Sequence, residues 1–171
     1  MAVSRRKFLA GAAGMVAGQR LMMMPAPAHA RIALGDIQLD VVSDGSLTLP
    51  GGFIFDPMPQ AELLPILENL GQSAEVLTPP CNVTLMRQGG RVVLFDVGSG
   101  PDFAPTAGDL LASLEALNVA PDDVTDVVFT HAHPDHLWGV LDDFDDPLFS
   151  QARYMIGQAE WDYWTNPNTV D

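Results

Sequence analysis

The stretch Thr130-His-Ala-His-Pro-Asp-His136 decides how this chain is read. Three imidazoles and a carboxylate fall within six residues, in a chain whose only other histidine is His29. Imidazole nitrogen and carboxylate oxygen are the donors that borderline divalent metals such as zinc favour. Val124 to Thr130 is short and rich in β-branched residues, which predicts a strand ending at the motif. In the extended segment beyond it, His131 and His133 can project towards one ion. Pro134 then bends the chain, so that Asp135 and His136 can reach a second ion nearby. Two such ions could share a hydroxide, lower its pKa and polarise a substrate oxygen. A solvated loop with Asp135 as a helix cap accounts for the aspartate but not for three clustered histidines. A mononuclear site using only some of these donors stays open.

Working outward, the pattern alternates strands and helices, which predicts α/β layers. Asn82 to Met86 reads as a strand, Gln88-Gly89-Gly90 as a turn and Arg91 to Phe95 as the returning strand. Asp96-Val97-Gly98-Ser99-Gly100 ends that strand, with Asp96 as a turn aspartate. Thr106 to Leu117 predicts a helix, with Leu110, Leu111, Leu114 and Leu117 on one face. Beyond the motif a short helix begins, followed by a strand over Ala152 to Ile156 and a helix over Gln158 to Trp164. Upstream, Gly35 to Pro50 reads as two short strands. Ile37, Leu39 and Val41 alternate in the first, and Asp44-Gly45 turns into Ser46 to Leu49. Gly51 to Pro80 reads as a loop containing a short helix interrupted by Pro65. Cys81, the only cysteine, excludes an intramolecular disulfide and reads as a buried structural thiol.

The first thirty residues read as an address rather than as fold. Arg5-Arg6 stands directly before the mildly apolar Phe8 to Gly18, too short to span a bilayer, and Ala28-His29-Ala30 offers a small-x-small cleavage site. The segment resembles a twin-arginine signal, which implies a periplasmic or secreted protein with no stable membrane anchor after cleavage. All 22 acidic residues lie beyond residue 30, against Arg31, Arg87, Arg91 and Arg153, so a chain cleaved there carries −18 (four positive charges less 22 negative). That surface repels phosphate backbones and excludes nucleic acid as a partner.

The motif, together with Leu94-Phe-Asp-Val-Gly98, resembles the metallo-β-lactamase-fold hydrolases over about Gly35 to Trp164. Within them, Leu34-Gly-Asp36, Val42-Ser-Asp-Gly45, Gly108 to Leu114 and Glu160-Trp-Asp-Tyr-Trp164 are similar to exported methyl parathion hydrolase-like enzymes. The resemblance implies an αββα sandwich of which residues 31–171 are the N-terminal part, and a site holding two zinc ions. It implies that His131 and His133 bind the first metal and that Asp135 and His136 bind the second. Asp135 would also orient a metal-bridged hydroxide, and Asp96 would steady the motif loop from behind. The substrate class it implies is ester-like: phosphotriester, lactone or arylester. Trp164 is a candidate wall for the substrate's apolar part, although Trp161, Tyr163 and Trp164 also read as ordinary helix packing. Trp138, where many members of the family carry a glycine pair, reads as packed under the following helix.

The family also needs a further histidine for the first metal, and a bridging aspartate and another histidine for the second. No histidine follows His136 in this sequence. The chain therefore reads as the N-terminal half of a longer enzyme, with a missing C-terminal half or a homo-oligomer as its expected partner. An uncovered apolar sheet face would make it aggregation-prone. The alternatives are a non-catalytic truncated remnant and an exported acidic metal-binding module.

Overall fold

The computed structural model describes residues 30–169, so the signal reading lies outside the described residues but for Ala30. In chain order the elements are β1 (Ala30–Leu34), β2 (Ile37–Ser46), β3 (Leu49–Pro50), α1 (Gly51–Phe55), α2 (Gln60–Leu70), β4 (Val76–Leu77) and β5 (Pro80–Gln88). There follow β6 (Arg91–Phe95), α3 (Leu110–Ala116), β7 (Asp126–Phe129), α4 (Pro134–Leu137), β8 (Arg153–Ile156) and α5 (Gln158–Trp164). Six strands form one sheet in the order β1-β2-β5-β6-β7-β8, while β3 and β4 pair apart from it. The first four strands of the large sheet are antiparallel, and β6-β7-β8 run parallel. Parallel neighbours need crossovers, and α3 sits in the first of these, so the layers are α/β as expected. No helix among the described residues is long and apolar enough to cross a membrane.

The β5–β6 hairpin closes through Gly89 and Gly90, at φ +54° and +81°, the left-handed pair that a tight two-residue turn demands. One face of the sheet builds the core. Val42, Val83, Leu85, Leu94, Val127 and Phe129 pack there against Leu110 and Leu114 of α3. The opposite face carries Leu39, Val41, Met86, Phe95 and Val128, all half-buried, and none of them joins the core.

Several sequence expectations change. Ala30 to Leu34, for which the sequence reading named no element, is a strand pairing with β2. Asp44-Gly45 is not a turn between two strands. It is a bulge inside one ten-residue strand, where Ser43 pairs Asn82 but Ser46 pairs Pro80. The fully buried face of β2 is Asp40, Val42 and Asp44, not the Ile37, Leu39 and Val41 face. Residues 51–80 hold two helices, one short strand and the first residue of β5 rather than a loop with one helix. The longer helix keeps Pro65 inside it and closes on Gly71 at φ +63°, whose amide donates to the Glu68 carbonyl. Helix α3 starts at Leu110 rather than Thr106, because residues 106–108 bond to β2 instead. The Ser46 amide donates to the Thr106 carbonyl, and the Gly108 amide to that of Asp44.

Two buried carboxylates neutralise all four arginines of the described residues. Asp40 holds Arg31 and Arg87, and Asp126 holds Arg91 and Arg153. Burial pushes the Asp40 carboxyl up, but hydrogen bonds from Arg31 and Gln38, with the charges of Arg31 and Arg87, hold it below the usual range. The Thr125 hydroxyl, then Arg91 and Arg153, do the same for Asp126 against its burial. A folded-state pKa below the unfolded one gives stability present above the unfolded value and lost as pH falls through the folded value. Urea midpoints should therefore hold between pH 7 and 5 and fall below about pH 4, where unperturbed aspartates titrate. A midpoint unchanged at pH 3 would show that these pairs contribute nothing.

Candidate metal centre

Strand β7 ends at Phe129, and the next seven residues emerge from the carboxyl end of the parallel part of the sheet. That end of a parallel sheet is where crossover loops diverge and leave a crevice. The motif runs extended through His133 at φ −69°, ψ 154°, and Pro134 then opens α4 at its first position. The chain therefore turns where its sequence demanded, and the three imidazoles gather. The His131 and His136 rings are 4.0 Å apart at their centroids, and the His131 and His133 rings 4.6 Å. Asp135 Oδ2 lies 3.4 Å from His136 Nε2.

Asp96 holds this loop from behind. It ends β6 in the left-handed region, φ +70°, which costs little for aspartate and is poor for most other residues. Its amide donates to Val128, and its Oδ1 accepts the Thr130 amide at 2.7 Å. Its Oδ2 accepts the Thr130 hydroxyl at 2.8 Å and faces His136 Nδ1 at 2.9 Å. A carboxylate against Nδ1 keeps the proton there and leaves the Nε2 lone pair free for other work. The Thr130 hydroxyl, having donated to Asp96, faces His131 Nδ1 at 3.0 Å as an acceptor. The backbone closes the unit, with the Val97 amide on the His136 carbonyl. Thr130's hydroxyl was not singled out in the sequence. Its position directly before the first histidine was the available signal.

Gly139 follows the motif in van der Waals contact with the backbone of residues 97–100. A β-carbon there would lie 2.3 Å from the Val97 carbonyl oxygen, so only glycine fits. Trp138 is 57% exposed and stands edge-on to Phe103, not packed under a helix as expected. Cys81 is half-buried rather than buried. Burial, with the charges of Asp44 and Asp135, pushes its thiol up, which disfavours the thiolate that a nucleophile or metal ligand would need.

Helix α5 borders the site on the β8 side. None of Trp161, Tyr163 and Trp164 is buried, so the ordinary packing expected of them is not what the structure contains. The Trp164 ring lies 6.3 Å from that of His133. With Phe129, Ala132, Tyr154, Ile156 and Trp161 it lines an apolar cavity of about 320 Å³. Glu160 Oε1 accepts both the Ala132 amide and the Trp164 indole N–H, each at 2.9 Å. The Ala132 bond first, then the Trp164 bond and the nearby His131 and His133, hold its carboxyl below the usual range. Sequence reasoning quoted Glu160 within Glu160-Trp-Asp-Tyr-Trp164 but gave it no task. The i, i+4 spacing of Glu160 and Trp164 was the signal.

Four nitrogen and oxygen donors thus stand together, each of a type that suits zinc, with two imidazoles already braced through Nδ1. Their rings pack against one another, and among the described residues no three donors converge on one point. A metal would be held by His131, His133, Asp135 and His136 after rotation of these side chains.

Comparison with known proteins gives the same answer from several directions. Residues 77–142 match the family model of the metallo-beta-lactamase superfamily. Metallo-beta-lactamase domain-containing protein 1 of Xenopus laevis is 41% identical over 85 residues, covering 50% of this chain and 30% of that protein. The solved structure of AidC, a dizinc quorum-quenching lactonase in complex with a product, is 30% identical, with a TM-score of 0.76 over 82% of this chain and 48% of that one. AbOPH, a hydrolase in the beta lactamase superfamily, is 26% identical, with a TM-score of 0.75 over 84% of this chain and 49% of that one. The chain therefore spans about half the length of these solved structures and under a third of the curated relative. With this motif on this sheet, and with these matches, residues 77–142 carry a metallo-beta-lactamase superfamily domain, and the chain as a whole is similar to hydrolases of that superfamily.

Proposed function

We propose that this chain carries metal ligands of a metal-dependent hydrolase acting on an ester-like substrate: a lactone, an arylester or a phosphotriester. The observation that carries this is the gathering of His131, His133, Asp135 and His136 beside an apolar cavity walled by Trp164. Two zinc ions, when bound, would lower the pKa of a water and polarise the oxygen of the electrophile. His131 and His133 would hold one ion, and Asp135 and His136 the other. Asp135 would also orient the attacking water. Asp96 keeps the His136 proton on Nδ1, away from the face that a ligand needs. The apolar cavity, which Trp164 lines on one side, suits an acyl or aryl group. Arg5-Arg6 and Ala28-His29-Ala30 support export to the periplasm or beyond. The dizinc lactonase among the solved structures supports zinc and a lactone.

A second reading, a non-catalytic remnant that binds metal weakly or not at all, is favoured by the absence of three converging donors among the described residues. Hydrolysis separates the two. Zinc-loaded protein should cleave at least one of an acyl-homoserine lactone, a p-nitrophenyl ester and a p-nitrophenyl phosphotriester, and chelation should abolish it. Weak or absent zinc binding with no turnover of any of the three supports the remnant instead.

A further inference from the structure

We propose that Glu160 is a positioning residue that clamps the motif loop and the aromatic wall to each other through one carboxylate oxygen. The loop between His131 and His133 lies beyond the last β7 ladder pair, so the Ala132 amide has no strand partner. An amide without a partner leaves an extended segment free to shift, and both flanking imidazoles would shift with it. Glu160 Oε1 supplies the partner from α5, and the same oxygen takes the indole N–H of Trp164 one turn later. Ala132 and Trp164 both line the apolar cavity, so this oxygen fixes the distance between the would-be metal ligands and the wall that faces them. Helix α5 starts directly after β8, which pairs with β7 in parallel. The clamp therefore bridges two adjacent strand ends and spans 28 residues of sequence. What the site requires of residue 160 is an acceptor at the reach of a glutamate; the negative charge is secondary.

The proposal rests on the reading of the motif as metal ligands, and its test separates the two. Zinc affinity, by competition with a chromophoric chelator, and hydrogen exchange of the Ala132 amide are measured on the full chain with three variants. Glu160→Gln keeps reach and acceptor but loses the charge. Glu160→Asp keeps the charge but loses the reach, and Glu160→Ala loses both. Gln should bind zinc within about twofold of wild type. Asp and Ala should bind about tenfold more weakly, as for loss of a partner that orients ligands. Amide exchange at Ala132 should accelerate in Asp and Ala but not in Gln. If Ala does not fold, the contrast of Asp with Gln decides. Asp behaving as wild type while Gln weakens zinc would overturn the proposal in favour of charge alone. Unchanged Ala132 exchange in Asp would also overturn it. A wild-type chain that binds no zinc sinks the ligand reading, while the exchange data still judge the clamp.

Discussion

Asp44→Ala should lower the stability of this protein by about 4 kcal/mol. The carboxylate is 1% exposed and lies in the β2 bulge. Its Oδ1 accepts the Leu110 amide that starts α3, and its Oδ2 accepts both the amide and the hydroxyl of Ser99. Gly98 approaches so closely that a β-carbon there would lie 2.6 Å from the Asp44 carboxylate. One side chain thus ties the second strand, the loop after β6 and the helix that covers the core. Removing it leaves two buried amides without acceptors, at about 1–3 kcal/mol each, besides a void. The total, on the order of 4 kcal/mol, is a large share of the roughly 5–15 kcal/mol that keeps a typical domain folded. Burial pushes this carboxyl up despite the amides that favour its ionised form. Its linkage is therefore opposite to that of Asp40. The stability it gives is present below the unfolded pKa and declines as pH rises through the folded one. Denaturant midpoints of wild type and variant check the loss. A difference under 1 kcal/mol would show that the three elements hold together without Asp44.

Asp96→Asn should leave the fold standing and cost 10- to 100-fold in zinc affinity, the usual range for partners that orient metal-binding histidines. Asparagine tolerates the φ of +70° at this position, so the backbone strain stays small. It cannot accept on both sides. Asp96 now faces the Thr130 amide with one oxygen and His136 Nδ1 with the other. Whichever way the amide turns, its NH₂ meets an N–H. Relief at His136 moves the proton to Nε2, the nitrogen that a metal would need. Equal zinc affinity in variant and wild type would mean that Asp96 serves the turn alone.

What the sequence made legible followed local chemistry. The histidine density of residues 131–136, the Gly89-Gly90 turn and the β-branched run into the motif each act within a few residues, and each sits where expected. What it hid depended on partners far along the chain. Asp44-Gly45 looks like a turn to its neighbours, and only Ser99 and Leu110, 55 and 66 residues away, make it a bulge. Leu39 and Val41 look like the core side of β2. The core lies on the other side because two arginines and a set of backbone amides satisfy the aspartates buried there. Residues 106–108 have helical composition but bond to β2. In the site, the four donors were legible, whereas Thr130 and Glu160 matter through hydrogen bonds to Asp96 and Ala132, partners 34 and 28 residues away that local sequence does not reveal.

The central claim is that residues 131–136 form a metal-binding loop. The direct test is equilibrium zinc binding by the full chain at pH 7.5, compared with His133→Ala. The account predicts at least one zinc per chain for wild type and a loss of at least tenfold in affinity for the variant. Wild type that binds no zinc, or a variant that binds it equally well, would contradict it.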